Sequence, residues 1–118
     1  MKEAIFQNSE QQAKFDEQGF IKLQLFSENE IEQLKALYAH FYPDGAQAFY
    51  SSSYSDDYQL KTEISEKITE LLKDGISRVF TNYKLIGSAF LIKGKGDHSE
   101  MPMHQDWTIV DEHEFYAA

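Results

Sequence analysis

Apolar residues recur along the chain with two different spacings, and the spacing changes near residue 83. Before that point many apolar positions lie three or four residues apart, which is typical of amphipathic helices. From Tyr83 to Lys93 the chain is an apolar-rich run, which is typical of a strand. We therefore predict one α+β domain over residues 1–118, mainly helical over 1–82 and with its first strands over 83–118.

The first quarter of the chain predicts a helix followed by a short strand. Residues 1–18 are polar and helical in pattern, and Gly19 breaks that pattern. The run Phe20–Phe26 then alternates in part between apolar and polar positions, which favours a short strand.

Two further helices are predicted, with a loop between them. Ser27 followed three residues later by Glu30 is a capping box, and apolar residues follow it at helical spacing. Residues 44–60 are rich in Ser, Tyr, Asp and Gly, which predicts a loop. The last helix is expected from about residue 61 to residue 73, where Asp74-Gly75 is typical of a helix end. Residues 76–82 either extend it or form a separate helical turn.

Composition argues against several classes of protein, namely nucleic-acid-binding, membrane-associated and thiolate-metal proteins. The net charge of −9 and the pI of about 4.8 argue against binding to nucleic acid, which needs clustered Lys and Arg, and against an anionic membrane surface. No stretch approaches the roughly 20 apolar residues of a membrane span, and the N-terminus lacks the apolar region of a signal peptide. The chain has no Cys, so thiolate metal sites are excluded. We expect a cytoplasmic protein.

The clearest candidate chemistry lies in His104-Gln105-Asp106. In a strand, residues i and i+2 point to the same side, so this imidazole and this carboxylate can bind one metal ion. The pair suits Fe(II), Mn(II) or Zn(II), and one more His would complete a 2-His-1-carboxylate triad. On spacing alone, an exposed polar pair at a strand end is the more common reading.

Three other histidines are candidates for the remaining ligand or for simpler roles. His98 and His113 flank the motif, and a solvated surface residue is the more common reading for each. His40 lies where a helix is expected to end, where a cation is favourable. The acidic residues Asp111, Glu112 and Glu114 have the composition of a metal site, although a solvated acidic turn is more common.

Longer stretches around the motif resemble the phytanoyl-CoA dioxygenase family of Fe(II)/2-oxoglutarate-dependent oxygenases. The most specific likeness is the run Met101-Pro102-Met103-His104-Gln105-Asp106-Trp107, preceded by residues 88–93. Residues 16–21, followed by Leu25-Phe26-Ser27 and the capped helix, are similar to the opening of that family. The resemblance covers nearly the whole chain.

The resemblance implies a site and an activity. His104 and Asp106 match two iron ligands, 2-oxoglutarate is the implied cosubstrate, and a small organic molecule is the implied substrate. Asp at 106, rather than Ala or Gly, looks like a hydroxylase and unlike the related halogenases. Phe90 falls where the family places a strand residue near the cosubstrate; a core aromatic is the other reading. Residues 49–58 would then be a lid over the site.

The resemblance also implies a fold in which the N-terminal helices pack on the first strands of a double-stranded β-helix barrel. In the family, the distal His ligand and the Arg that binds 2-oxoglutarate lie in the second half of the barrel, so we expect an N-terminal part with an incomplete barrel. Two alternatives remain open. One is a degenerate, non-catalytic protein that binds a partner through an open sheet edge. The other is a homo-oligomer that supplies the missing strands in trans.

Overall fold

The computed structural model describes residues 3–45, 48–96 and 99–104. In chain order, the elements are α1 (Ser9–Gln18), α2 (Glu28–Phe41), β1 (Tyr50–Ser51), a 3₁₀ helix (Ser52–Tyr54), α3 (Tyr58–Val79) and β2 (Leu91–Ile92). The described part of the chain is therefore an α+β structure, with three helices and a small antiparallel sheet, which confirms the fold class in general terms.

Helix α1 is shorter than expected because its N-cap is Asn8. The Asn8 side chain accepts hydrogen bonds from the first-turn amides of Glu10 and Gln11, which replaces partners that the helix itself cannot supply. At the other end Gly19 adopts the left-handed conformation, with φ of 77°, and donates its amide to Phe15. Gly19 thus ends the helix as the sequence predicts.

The segment before α1 is tied both to α1, where Gln12 Oε1 accepts the Ile5 and Phe6 amides, and to the end of α3. Phe6 and Phe80 form an isolated antiparallel bridge, and their rings lie 5.2 Å apart between centroids. The Gln7 amide donates to the Val79 carbonyl at 2.9 Å, and the Thr81 amide donates to the Ile5 carbonyl at 2.9 Å. Residues 5–7 therefore pair with residues 79–81 at the C-terminal end of α3.

Helix α2 begins as the capping box predicts. The Glu30 amide donates to Ser27 Oγ at 3.2 Å, and the Ser27 amide donates to Glu30 Oε2 at 3.2 Å. Both halves of the box are therefore present, and the predicted start of this helix is confirmed.

Helix α3 is longer at both ends than the sequence indicates. Asp57 caps it by accepting the Leu60 amide, so it starts at Tyr58, and it continues through Gly75 to Val79. The prediction that Asp74-Gly75 ends the helix is wrong. Gly75 lies inside the helix, where its lack of a side chain leaves room for residues 25 and 26 to pack closely. A Cβ built at Gly75 would lie 2.9 Å from the Phe26 ring and 3.1 Å from the Leu25 carbonyl.

The predicted strand at residues 20–26 is not formed. No strand partner accompanies it within the described residues, and the Phe20 side chain is 66% exposed. The apolar residues at the end of the run instead reach α3, where Phe26 covers the backbone at Gly75. Contact with a helix thus replaces the sheet that the alternation predicts.

The predicted loop over 44–60 contains both β1 and the 3₁₀ helix. Strand β1 pairs antiparallel with β2, with Tyr50 opposite Ile92 and Ser51 opposite Leu91. Only two residues of the predicted strand at 83–93 join this ladder, and residues 83–90 have no regular secondary structure. A strand predicted at Thr108-Ile109-Val110 lies outside the described residues.

The described core is small. Its buried apolar side chains are Phe6, Ile64, Ile68 and Ile92. Large apolar side chains also lie exposed on the described surface, among them Phe20, Ile31, Tyr54, Tyr58, Tyr83, Leu85, Ile86, Leu91 and Met103. Helix α3 supplies two of the four core residues, so its inner face organises the fold. Among the described helices, none combines the length and the apolar character needed to cross a membrane.

Gly75→Ala is expected to destabilise the protein by about 1–3 kcal/mol, since the added methyl group would overlap the Phe26 ring and a backbone carbonyl. Helix propensity alone predicts the opposite sign, a gain of up to about 1 kcal/mol. Gly87→Ala is the matched control, because its Cβ would meet only Ser65 Oγ at 3.5 Å. Urea unfolding of both variants measures the difference, and a stabilised Gly75→Ala protein would contradict the packing described above.

Candidate metal centre

His104 is the one predicted metal ligand that lies within the described residues. Its side chain is exposed, and its Nδ1 atom lies 2.9 Å from the Pro102 carbonyl oxygen. A carbonyl oxygen can only accept, so this hydrogen bond requires the proton on Nδ1. In the neutral imidazole, Nε2 then carries the lone pair that a metal ligand needs. A backbone carbonyl in this role is a common support for ligating histidines.

The other predicted ligands cannot be placed. Asp106 lies outside the described residues, as do His98, His113 and the acidic cluster at 111–114. Across residues 3–45, 48–96 and 99–104, no three His, Asp or Glu side chains are grouped to hold a metal ion. The pairing of His104 with Asp106 therefore stays a prediction.

His40 has a simpler role in the described structure. It lies in the last turn of α2, where a cationic side chain is favoured, and its ring stands edge-on to Phe41 at 5.0 Å. His40 is also exposed, so its placement agrees both with a favourable residue at the helix end and with a simply exposed side chain.

Phe90 lies among aromatic side chains from α2. Its ring meets Tyr38 at 5.5 Å and Tyr42 at 6.3 Å between centroids, both in edge-to-face geometry. Such pairs contribute stabilisation beyond the area that they bury. The half-buried Phe90 side chain thus acts as a packing residue in the described structure, and a role beside a cosubstrate stays a prediction.

The rings around Phe90 form a larger group, which we call the aromatic cluster and define as Tyr38, Tyr42, Tyr50, Tyr54 and Phe90. Tyr50 links the two halves, at 5.9 Å from Tyr42 and 6.2 Å from Tyr54. The Tyr42 hydroxyl oxygen is buried here, and burial, followed by the nearby Tyr50 hydroxyl, raises the pKa of Tyr42. The four-residue spacing of Tyr38 and Tyr42 could have indicated part of this cluster.

Residues 50–54 lie inside the stretch that the sequence assigns to a lid, and the structure gives two of them a place in the fold. Ser51 and Ser52 are each only 2% exposed. Ser52 donates its amide to the Phe90 carbonyl at 2.9 Å, and its Oγ accepts the Phe90 amide at 2.9 Å. Ser52 therefore fixes the approach to β2, and the lid over a site stays a prediction.

Phe90→Ala is expected to destabilise the protein by about 1–3 kcal/mol, below the value of about 3–5 kcal/mol for a fully buried Phe, because Phe90 is half-buried. Phe20→Ala removes the same ring from a position that is 66% exposed and is expected to change stability by no more than about 0.5 kcal/mol. Chemical unfolding of the two variants gives the comparison. Equal effects would show that the aromatic cluster contributes nothing.

Comparison of the chain with protein-family models, curated proteins and solved structures finds no match. The resemblance to the phytanoyl-CoA dioxygenase family therefore rests on the quoted residues alone and stays a prediction.

Proposed function

We propose that the chain contributes to an Fe(II)/2-oxoglutarate-dependent dioxygenase that hydroxylates a small organic molecule. The observation that carries this proposal is the hydrogen bond between His104 Nδ1 and the Pro102 carbonyl, within a run that resembles the iron-binding motif of that family. The bond directs the proton to one ring nitrogen and leaves Nε2 in the form that binds a metal.

The donor set suits the proposed metal. One imidazole nitrogen and one carboxylate are ligands that Fe(II) accepts, with a second His required to complete the triad. When bound, Fe(II) and 2-oxoglutarate would supply the activation of O₂ for hydroxylation. The protein's own contribution is to hold the His104 ring by its Nδ1–H and to present Asp106 two residues further along.

The proposed fold extends the observed one. The β1–β2 pair would be the beginning of a double-stranded β-helix, and the three helices would pack outside that barrel. Support comes from the order of elements, since the helices precede β2 and the His104 motif follows it. The aromatic cluster would then join the helical layer to the first barrel strand through Phe90.

The experiment is an anaerobic titration of the chain with Fe(II), with and without 2-oxoglutarate. The chelate of 2-oxoglutarate on Fe(II) is expected to give a weak visible charge-transfer band that Fe(II) alone does not give. His104→Ala is expected to remove the band and to weaken Fe(II) binding by more than about 100-fold, since loss of a supporting residue alone costs about 10–100-fold. His40→Ala is the matched control and should bind like the wild-type chain.

The remaining ligand is tested in the same titration. His98→Ala and His113→Ala show whether either side chain completes the site. No Fe(II) binding by the wild-type chain, or equal binding by His104→Ala and His40→Ala, would refute this chain's role as an iron carrier.

A second candidate function, an oxygenase-like binding or assembly module, is favoured by the surface beside β2. The sheet has two strands within the described residues, so one side of β2 carries no neighbour there. Leu91 in β2 and Ile86, five residues before it, are 63% and 69% exposed. An open groove of about 610 Å³ runs between α3 and residues 85–87. An exposed strand edge with apolar side chains is a template for pairing with another chain.

Solution mass distinguishes the two candidates. If the chain assembles through β2, the wild-type protein should have the mass of a dimer or larger, and Leu91→Lys should shift it to the monomer because a charge would be buried at the contact. Tyr58→Lys is the control, since Tyr58 is 79% exposed at the start of α3. A monomeric wild-type chain at all concentrations would remove assembly with itself from consideration.

A further inference from the structure

Three hydroxyl groups bind the chain just before β2. Ser65 Oγ accepts the Ser88 amide at 3.0 Å, and Thr69 Oγ1 lies 2.9 Å from Ser88 Oγ. Ser52 Oγ accepts the Phe90 amide at 2.9 Å. Residues 88 and 90 are therefore held by side chains of the 3₁₀ helix and α3, where a strand would normally be held by a neighbouring backbone.

Ser52 differs from the other two because it makes two bonds to one residue. Its amide donates to the Phe90 carbonyl at 2.9 Å, as a strand residue would. In a regular antiparallel pair, its own carbonyl would accept the Phe90 amide. That carbonyl is instead turned into the 3₁₀ helix, where it accepts the Ser55 amide at 3.4 Å. The Ser52 hydroxyl thus takes the place of the carbonyl that the turn withdraws.

The replacement matters because Ser52 is 2% exposed and its bond with the Phe90 amide is partly buried. An amide shielded from water and without an acceptor is costly, so an oxygen at this point stabilises the Phe90 amide. With an apolar side chain at 52, the backbone carbonyl of that residue would be the acceptor for both the Phe90 amide, which continues the ladder, and the Ser55 amide, which closes the 3₁₀ helix. The hydroxyl lets β1 turn directly into the 3₁₀ helix while the pairing with Phe90 continues.

We propose that Ser52 is a positioning residue, which sets the place of Phe90 among the other rings of the aromatic cluster. It thereby sets the start of β2, the strand that precedes the candidate metal centre in the chain. The relevance to metal binding rests on the proposed function; the positioning of Phe90 does not. Ser65 and Thr69 hold the same segment two residues earlier, at Ser88.

The test is residue-resolved amide hydrogen exchange on the full chain, with Ser52→Ala, Ser65→Ala and Ser53→Ala compared with the wild type. Ser52→Ala is expected to speed exchange of the Phe90 amide at least about fivefold, the effect of losing one hydrogen bond. Amides of α1 and α2 should exchange as in the wild type. Ser65→Ala should act on the Ser88 amide. Ser53→Ala is the matched control, because within the described residues the exposed Ser53 hydroxyl bonds to Ser51 and not to Phe90.

Three outcomes would overturn the proposal. Ser52→Ala could leave the Phe90 amide as slow as Ser53→Ala does, it could speed all amides by one common factor, or it could fail to fold while Ser53→Ala folds. The last two would make Ser52 a general stability residue. Fe(II) titration of the wild-type chain is scored separately: no iron binding there would refute the proposed function and leave the exchange result on Phe90 intact.

Discussion

The packing of the inner face of α3 is the constraint on which the rest of the structure depends. Ile64 and Ile68 on this face are 0% and 5% exposed and make up half of the buried apolar core of the described residues. Further along the same helix, Gly75 has no side chain, so the Phe26 ring packs directly against the helix backbone. At the end of the helix, Phe80 pairs with Phe6. Helix α2 and the 3₁₀ helix also contact α3, so this helix organises much of the described fold, because the sheet is too small to do so.

The approach to the candidate metal centre depends on that helix through hydroxyl groups more than through apolar burial. Ser65 and Thr69 extend from α3 to Ser88, and Ser52 reaches Phe90. Hydrogen bonds are directional, so they fix the register of this segment more strictly than apolar contacts would. The segment can therefore hold a defined place while Leu85 and Leu91 remain exposed.

Local signals in the sequence predicted local structure, and contacts between distant residues account for the errors. The Ser27–Glu30 capping box correctly gave the start of α2, since both partners lie within one turn. Asp74-Gly75 locally predicts a helix end, whereas the role of Gly75 in the fold depends on Phe26, which is 49 positions earlier. Strand β1 has two residues in a Ser- and Tyr-rich stretch, so only its partner β2, forty residues away, makes it a strand.

The candidate site divides in the same way. The sequence gives the ligand types at 104 and 106, but it cannot say which nitrogen of the imidazole is presented. The hydrogen bond to the Pro102 carbonyl, two residues before His104, favours the proton on Nδ1. Under the proposed function, this tautomer presents Nε2 of His104 to the metal. The position of His104 relative to the other proposed ligands is a separate matter, because Asp106 lies outside the described residues. The tautomer of His104 is a local property of the chain, whereas assembly of the proposed site requires contacts between distant residues.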